Sequence, residues 1–263
     1  MIQNDIKETV IKLQHLSHRY GRIKALNDVS ISIRRGCTVG LIGPDGVGKS
    51  TLLSLICGVK KLQQGSIEVL GSKVRTQKDR DYLSSKIAYM PQGLGLNLYF
   101  SLSVYENIEF IARLSQIPVV VREKKIEQLL KSTGLYPYKD RPAGQLSGGM
   151  KQKLSLCCSL IHDPDFLILD EPTTGVDPLA RAQFWELINR IRKVRPQMSV
   201  IVATAYMDEA QGFDWLAMMD DGQILKTGTP QELLTETQCN SLEDAFIQLL
   251  PEEKKLGYEP VVI

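Results

Sequence analysis

The chain of 263 residues carries 32 lysines and arginines against 30 aspartates and glutamates, a formal net charge of +2. That balance argues against a dedicated nucleic-acid binder, which would be strongly basic. A hydrophobic fraction of 43% beside 24% charged residues excludes disorder of the whole chain, and the length is ample for a real core.

In chain order, residues 11–16 and 29–33 alternate apolar with polar, as half-exposed strands do. Residues 38–42 form a continuous apolar strand ending in a glycine loop, and 49–56 read as a helix stopped by Gly58. Strands are expected at 66–70 and 86–89. From about 101 to 135 the period turns helical. Ile108, Ile111 and Leu114 fall three apart, which places them near one helical face; Ile126, Leu129 and Leu130 do the same one helix later. Residues 148–160 are a third helix. Strands return at 166–169 and 199–204, with a helix over 178–191 between them and Pro178 in its first turn. Asp221-Gly222 marks a hairpin joining 215–219 to 223–225. Short helices follow near 231–235 and 242–249. Buried strands separated by helices give an α/β fold with a parallel core. The helical stretch from about 95 to 160 reads as an inserted subdomain.

No apolar run approaches the ~18 residues of a membrane span, and the opening MIQNDIKETV lacks the pattern of a secretory signal. The five cysteines, Cys37, Cys57, Cys157, Cys158 and Cys239, form no CxxC pair and fit reduced, buried thiols. Adjacent Cys157 and Cys158 fit helix packing, with a redox element as the other reading.

Gly43-Pro44-Asp45-Gly46-Val47-Gly48-Lys49-Ser50 matches G-x-x-x-x-G-K-[ST] between an apolar strand and a helix, the context that confirms a phosphate loop. Glycines let successive N–H groups face phosphate oxygens, and the helix N-terminus adds a field that favours anions. Lys49 brings a point charge to the β- and γ-phosphates. Ser50, with Thr51 beside it, opens the helix and offers its hydroxyl to Mg²⁺. Farther on, four apolar residues run into Asp170 and Glu171. Two acids at the end of a buried strand make poor structural sense alone. As a Walker B pair, Asp170 helps hold Mg²⁺ and Glu171 orients and polarises the attacking water.

Leu146-Ser147-Gly148-Gly149-Met150-Lys151-Gln152 closely resembles the signature motif of ABC-type ATPases. The resemblance runs from about 11 to 250 with the motifs in the family's order, and residues 170–178 are similar to its Walker B and D-loop run. It implies a P-loop NTPase fold: an ABC-type nucleotide-binding domain with a RecA-like core, an antiparallel β subdomain and the inserted helical subdomain. One such domain would span 1–250, and 251–263 would be a tail or the start of a linker. It further implies a head-to-tail dimer with a second cassette, identical or different. ATP and Mg²⁺ would lie between one subunit's phosphate loop and the other's signature. Ser147 would present its hydroxyl, and Gly148 and Gly149 their amides, to the γ-phosphate; an N-cap role for Ser147 is compatible with this. By the same resemblance, Tyr20 is the aromatic that stacks on adenine. Gln92, after Met90-Pro91, would reach Mg²⁺ and couple the subdomains, and Asp177 would act across the dimer.

One position departs from the pattern. The family places a histidine where Ala205 stands in Thr204-Ala205-Tyr206-Met207, and no histidine occurs after His162. His162 itself is expected to serve the dipole and cap of a helix end. Slow hydrolysis is one expectation from Ala205; cover by Tyr206 or a rearranged main chain is the other. Ala205-Tyr206-Met207, Gly43-Pro44-Asp45-Gly46, Met90-Pro91-Gln92-Gly93-Leu94-Gly95 and Phe213-Asp214-Trp215 together resemble the first cassette of the bacterial ribosome-associated ATPases.

The resemblance thus implies an ATPase subunit driving an export-type transporter. It would bind a transmembrane permease subunit and sit peripherally on the cytoplasmic face of the cell membrane. The apolar stretch Leu94, Leu96, Leu98, Tyr99 and Phe100 suits either a docked partner helix or the core. A ribosome-associated ATPase and an ATP-binding switch that scarcely hydrolyses are the competing readings. No direct nucleic-acid contact is expected.

Overall fold

The computed structural model describes residues 9–255. Strands are β1 (Thr9–Tyr20), β2 (Ile23–Arg34), β3 (Thr38–Ile42), β4 (Gln64–Val69), β5 (Ser72–Lys73), β6 (Ile87–Met90), β7 (Phe166–Asp170), β8 (Ser199–Thr204), β9 (Trp215–Asp220) and β10 (Gln223–Gly228). The helices are α1 (Lys49–Ile56), α2 (Gln77–Ser84), α3 (Val104–Leu114), α4 (Val119–Ser132), α5 (Gly148–Leu160), α6 (Pro178–Val194), α7 (Met207–Ala210), α8 (Pro230–Thr237), α9 (Leu242–Leu249) and α10 (Glu252–Lys255). The chain divides into two compact units, one from residues up to 80 and from 200 onward, the other from 81–199.

The first unit holds an antiparallel sheet in the order β2-β1-β4-β5. Its two long strands bury Ile11, Leu13 and Leu16 against Leu26, Val29, Ile31 and Ile33, as alternation requires. The strands outrun the alternating stretches because bulges reset the register near residues 14–18. His15 and Asp28 sit there at φ 52 and 57 and share a 2.8 Å contact. In the same unit, β3 is buried along its whole length and pairs in parallel with β8 and β9. The hairpin from β9 to β10 turns through Asp221 and Gly222, both at positive φ, which matches the right-handed twist of the strands.

In the second unit, β6 and β7 pair in parallel, from Ile87 opposite Phe166 to Met90 opposite Leu169. Helices α3, α4 and α5 close on a core of Leu98, Val104, Ile108, Ile126, Leu130, Leu154 and Cys157, among others. A Ser103–Glu106 capping box starts α3. The expected face of α3 needs correction: Leu114 is 65% exposed, and the buried stripe is Val104, Asn107, Ile108 and Ala112. Leu98 belongs to this core, so the apolar stretch after Gln92 divides: Leu96, Tyr99 and Phe100 are exposed. Asp177 caps α6 through the Ala180 amide, and the helix runs three residues past its expected end.

Cys157 and Cys158 are buried in the helical core, and burial pushes the Cys157 thiol up to about 12. Such thiols stay protonated and inert, which favours packing over redox chemistry. Cys37, Cys57 and Cys239 are only half-buried, against the expectation of uniformly buried thiols. Among the described residues no helix is long and apolar enough to cross a membrane.

Candidate functional site

The phosphate loop lies in the first unit, between β3 and α1. Lys49 is 3% exposed, and its ammonium donates to the carbonyls of Gly43 at 2.7 Å and Pro44 at 2.8 Å. The exposed Asp45 carboxylate stands 3.7 Å away. Lys49 is therefore drawn back over its own loop, a compact buried cation at a helix N-terminus, which suits an incoming polyanion. The backbone leaves no choice of residue at two points. A Cβ on Gly43 would fall inside 3.0 Å of Met219 O. Gly48, at φ 105, would drive one inside 3.0 Å of Ala25 O. Neighbouring strands thus grip the loop at its first and last glycine. Val47 is buried, and its carbonyl accepts from the Gly222 amide at 3.0 Å. Ser50 and Thr51 sit in the first turn of α1, both half-buried.

Tyr20 ends β1 in the same unit, 43% exposed, with its hydroxyl 3.4 Å from Thr51 Oγ1. The Lys60 ammonium lies 5.0 Å from its ring centroid, and the His18 ring meets it edge-on at 4.9 Å. An exposed aromatic face beside the phosphate-loop helix is what a base would stack on. Ala205 is exposed just after β8, where the Tyr206 amide donates to Thr204 Oγ1 at 3.0 Å.

The carboxylates lie in the second unit. Asp170 ends β7, almost fully buried, and accepts from the Tyr89 hydroxyl at 3.0 Å. Glu171 is 7% exposed and takes a left-handed backbone, φ 46. Such a conformation in a residue other than glycine is uncommon and strained, and it aims the side chain off the strand. Gln92 Nε2 donates to Glu171 Oε2 at 2.8 Å, and Thr174 Oγ1 donates to the same oxygen at 3.3 Å. Gln92 and Glu171, predicted separately, are thus brought together across 79 positions of sequence.

Also in this unit, Ser147 caps α5 by accepting from the Met150 amide at 3.3 Å, and Gly148 and Gly149 open the helix. A Cβ on Gly149 would press to 2.6 Å from the Ala180 Cβ, so the start of α5 nests on α6. Buried Gln152 donates to the Pro172 carbonyl in the turn after Glu171. His162 is half-buried with Nε2 3.3 Å from the Ile87 carbonyl. Burial lowers its pKa, which disfavours the charged form that a helix dipole would attract, and its ring nitrogen meets the Ile87 carbonyl of β6.

Tyr89, Gln152 and Thr174 join this constellation without having been singled out from the sequence. Tyr89 and Thr174 stand three positions from Gln92 and Glu171, and Gln152 ends the signature run, so proximity to motifs is their one signal.

The sequence profile of the family described as "ABC transporter" matches residues 26–174. The probable multidrug ABC transporter ATP-binding protein YbhF of Escherichia coli is 34% identical over 253 residues, covering 94% of this chain and 43% of that protein. This chain thus spans less than half the length of that relative. Nod factor export ATP-binding protein I of Ralstonia nicotianae is 33% identical over 236 residues, 89% of this chain and 72% of that protein. Among solved structures, CbiO1 of Clostridium perfringens, part of the ABC transporter complex cbiONQ, aligns with a TM-score of 0.80 at 30% identity, over 87% of this chain and 92% of that one. The fold class expected from the sequence agrees with that likeness.

Proposed function

The chain belongs to the ABC transporter family, and from that premise we propose that it is the ATP-binding, ATP-hydrolysing subunit of an export-type membrane transporter. The observation that carries the ATPase reading is the phosphate loop, curled around a buried Lys49 on a backbone that admits only glycine at Gly43 and Gly48. Export is supported by the relative named for Nod factor export.

In this reading Lys49 leaves its own carbonyls for the β- and γ-phosphates, and the amides of residues 45–50 face the phosphate oxygens. Tyr20 stacks on the adenine. Glu171, held by Gln92 and Thr174, orients and polarises the attacking water. Ser147 and the Gly148 and Gly149 amides serve the γ-phosphate of a second cassette, identical or different, and Asp177 stands at that dimer face. The domain spans 1–250, with the helical insert at about 95–160 passing motion to a permease. The subunit lies peripherally on the cytoplasmic face of the membrane.

Mg²⁺ fits the donor chemistry. Asp170 is a nearly fully buried carboxylate at the end of β7, an oxygen donor of the type that a hard cation takes. The Ser50 hydroxyl and the Gln92 carbonyl oxygen, which the family resemblance assigns to the same ion, are likewise oxygen donors, the chemistry that suits Mg²⁺. The ion supplies charge neutralisation at the transferring phosphoryl group. Gln92 can do both of its jobs, because its Nε2 donates to Glu171 while Oε1 is the atom a metal would take.

Ala205 has no side-chain donor for the γ-phosphate, which supports slow intrinsic hydrolysis unless Tyr206 or the main chain covers the position. The likeness to ribosome-associated ATPases rests on Ala205-Tyr206-Met207 and its companion runs, and recovery from cells separates the two. Pull-down of the full chain from detergent-solubilised membranes should return a polytopic membrane subunit. Recovery with ribosomes and never with a membrane subunit would overturn the transporter reading. Glu171→Gln should keep ATP binding and lose turnover by about 10²–10⁴; wild-type turnover in that variant removes Glu171 from the mechanism.

A further inference from the structure

We propose that Thr174 is a positioning residue for Glu171, holding the carboxylate in its working orientation together with Gln92. The inference rests on the reading that Glu171 orients the attacking water.

Glu171 leaves β7 in a left-handed conformation, so the strand does not dictate where its side chain goes. Three side-chain torsions separate its backbone from its carboxylate, and a base on a free arm loses the benefit of a fixed near-attack geometry. Two donors supply the missing constraint. Gln92 Nε2 and Thr174 Oγ1 reach the same oxygen, Oε2, from opposite directions in the sequence. Both donors hold the carboxylate at that oxygen.

The two donors are not equivalent. Gln92 is exposed in the segment after β6, and in the reading above its other end serves the cation. Thr174 has no second duty. It sits in the turn that Glu171 itself begins, where the Thr174 amide donates to the Glu171 carbonyl at 3.3 Å and the Val176 amide to the Thr173 carbonyl at 3.1 Å. Its hydroxyl therefore travels with the backbone it constrains. A β-branched side chain is stiff about χ1, which keeps the hydroxyl aimed at the carboxylate. At 3.3 Å the bond is longer than the 2.5–2.7 Å of a tight hydroxyl–carboxylate pair. Thr174 is thus the slack restraint at rest and Gln92 the firm one.

Thr174 is exposed, so replacing it perturbs little packing. Steady-state ATP turnover and nucleotide affinity of the full chain would be compared for Thr174→Val, Thr174→Ala and Thr174→Ser. Valine keeps the shape and loses the hydroxyl; serine keeps the hydroxyl. We expect Thr174→Val and Thr174→Ala to lower kcat about fivefold, the worth of one positioning hydrogen bond, with KM and ATP affinity unchanged within about twofold. Thr174→Ser should return to within about twofold of the parent kcat. In a Glu171→Gln background, Thr174→Val should add nothing to the residual single-turnover rate. Equal kcat in Thr174→Val and the parent overturns the proposal, as does a serine variant as slow as valine or a loss shared by KM and ATP affinity. Undiminished turnover in Glu171→Gln alone strikes the underlying reading of Glu171 instead, so the two failures are told apart.

Discussion

Gly46→Ala and Gly48→Ala form a matched pair that tests how the phosphate loop is built. Both glycines have positive φ, 82 and 105. An alanine at either position therefore suffers the left-handed penalty, about 1–2 kcal/mol. Their surroundings differ. A Cβ at 46 meets nothing within 4 Å, whereas at 48 it lands inside 3.0 Å of the Ala25 carbonyl oxygen. That oxygen belongs to β2 and must retreat by roughly 1 Å to reach ordinary van der Waals distance. Forcing an atom into a packed site costs about 1–3 kcal/mol. Gly46→Ala should thus lose about 1–2 kcal/mol of stability and Gly48→Ala about 2–5 kcal/mol. Urea unfolding without nucleotide reads the gap. With a slope near 3 kcal/mol/M, a 1–3 kcal/mol difference separates the midpoints by roughly 0.3–1 M. ATP affinity should fall further in Gly48→Ala, since residue 48 presents the amide that opens α1. Coincident midpoints, or a less stable Gly46→Ala, would refute the close approach of β2 as the reason for glycine at 48.

Ala205→His should raise kcat by up to 10²–10³, the worth of one preorganised donor of ~3 kcal/mol; an unchanged kcat in steady-state ATPase assays would sink the slow-site idea. Tyr20→Ala should weaken ATP binding by ~1–3 kcal/mol while Tyr20→Phe retains it, measured by calorimetric titration; equal affinities would remove the ring from the base site. Burial, opposed by the Ile87 carbonyl, sets the folded pKa of His162 below its ordinary 6.5. The unfolded chain then binds the proton more readily, so this residue's contribution is present above about pH 6.5 and declines as pH falls through that value toward the folded pKa. His162→Gln should flatten the stability profile between about pH 7 and 5 in urea titrations; an unaltered slope contradicts it.

Element ends were legible where the residues carry a chemical mark. The helices opening at Lys49 and Gly148 and the strand at 38–42 fall where expected, because a glycine loop, an N-cap serine or an unbroken apolar run fixes each boundary. The buried face of α3 was misread for a geometric reason. Three residues turn a helix through about 300°, so a strict spacing of three drifts by about 60° at each step and carries Leu114 out of the core that Ile108 enters. Helix α2 went unrecognised because only Leu83 of its eight residues is buried, which leaves no apolar stripe. Within the site, the phosphate loop was legible because all its atoms come from consecutive residues. The Tyr89–Asp170 and Gln92–Glu171 bonds span 81 and 79 positions, and nothing local in the sequence announces either.

The bond from Gln152 to the Pro172 carbonyl, with Gly149 nested on Ala180, ties the first turns of α5 to α6 and to the turn after β7. Gln152 reaches that carbonyl from the second turn of α5. A displacement of the serine-glycine run would therefore be felt, through that hydrogen bond, at the residue next to Glu171. A load placed on that run would bear on the turn that carries the same chain's own carboxylate.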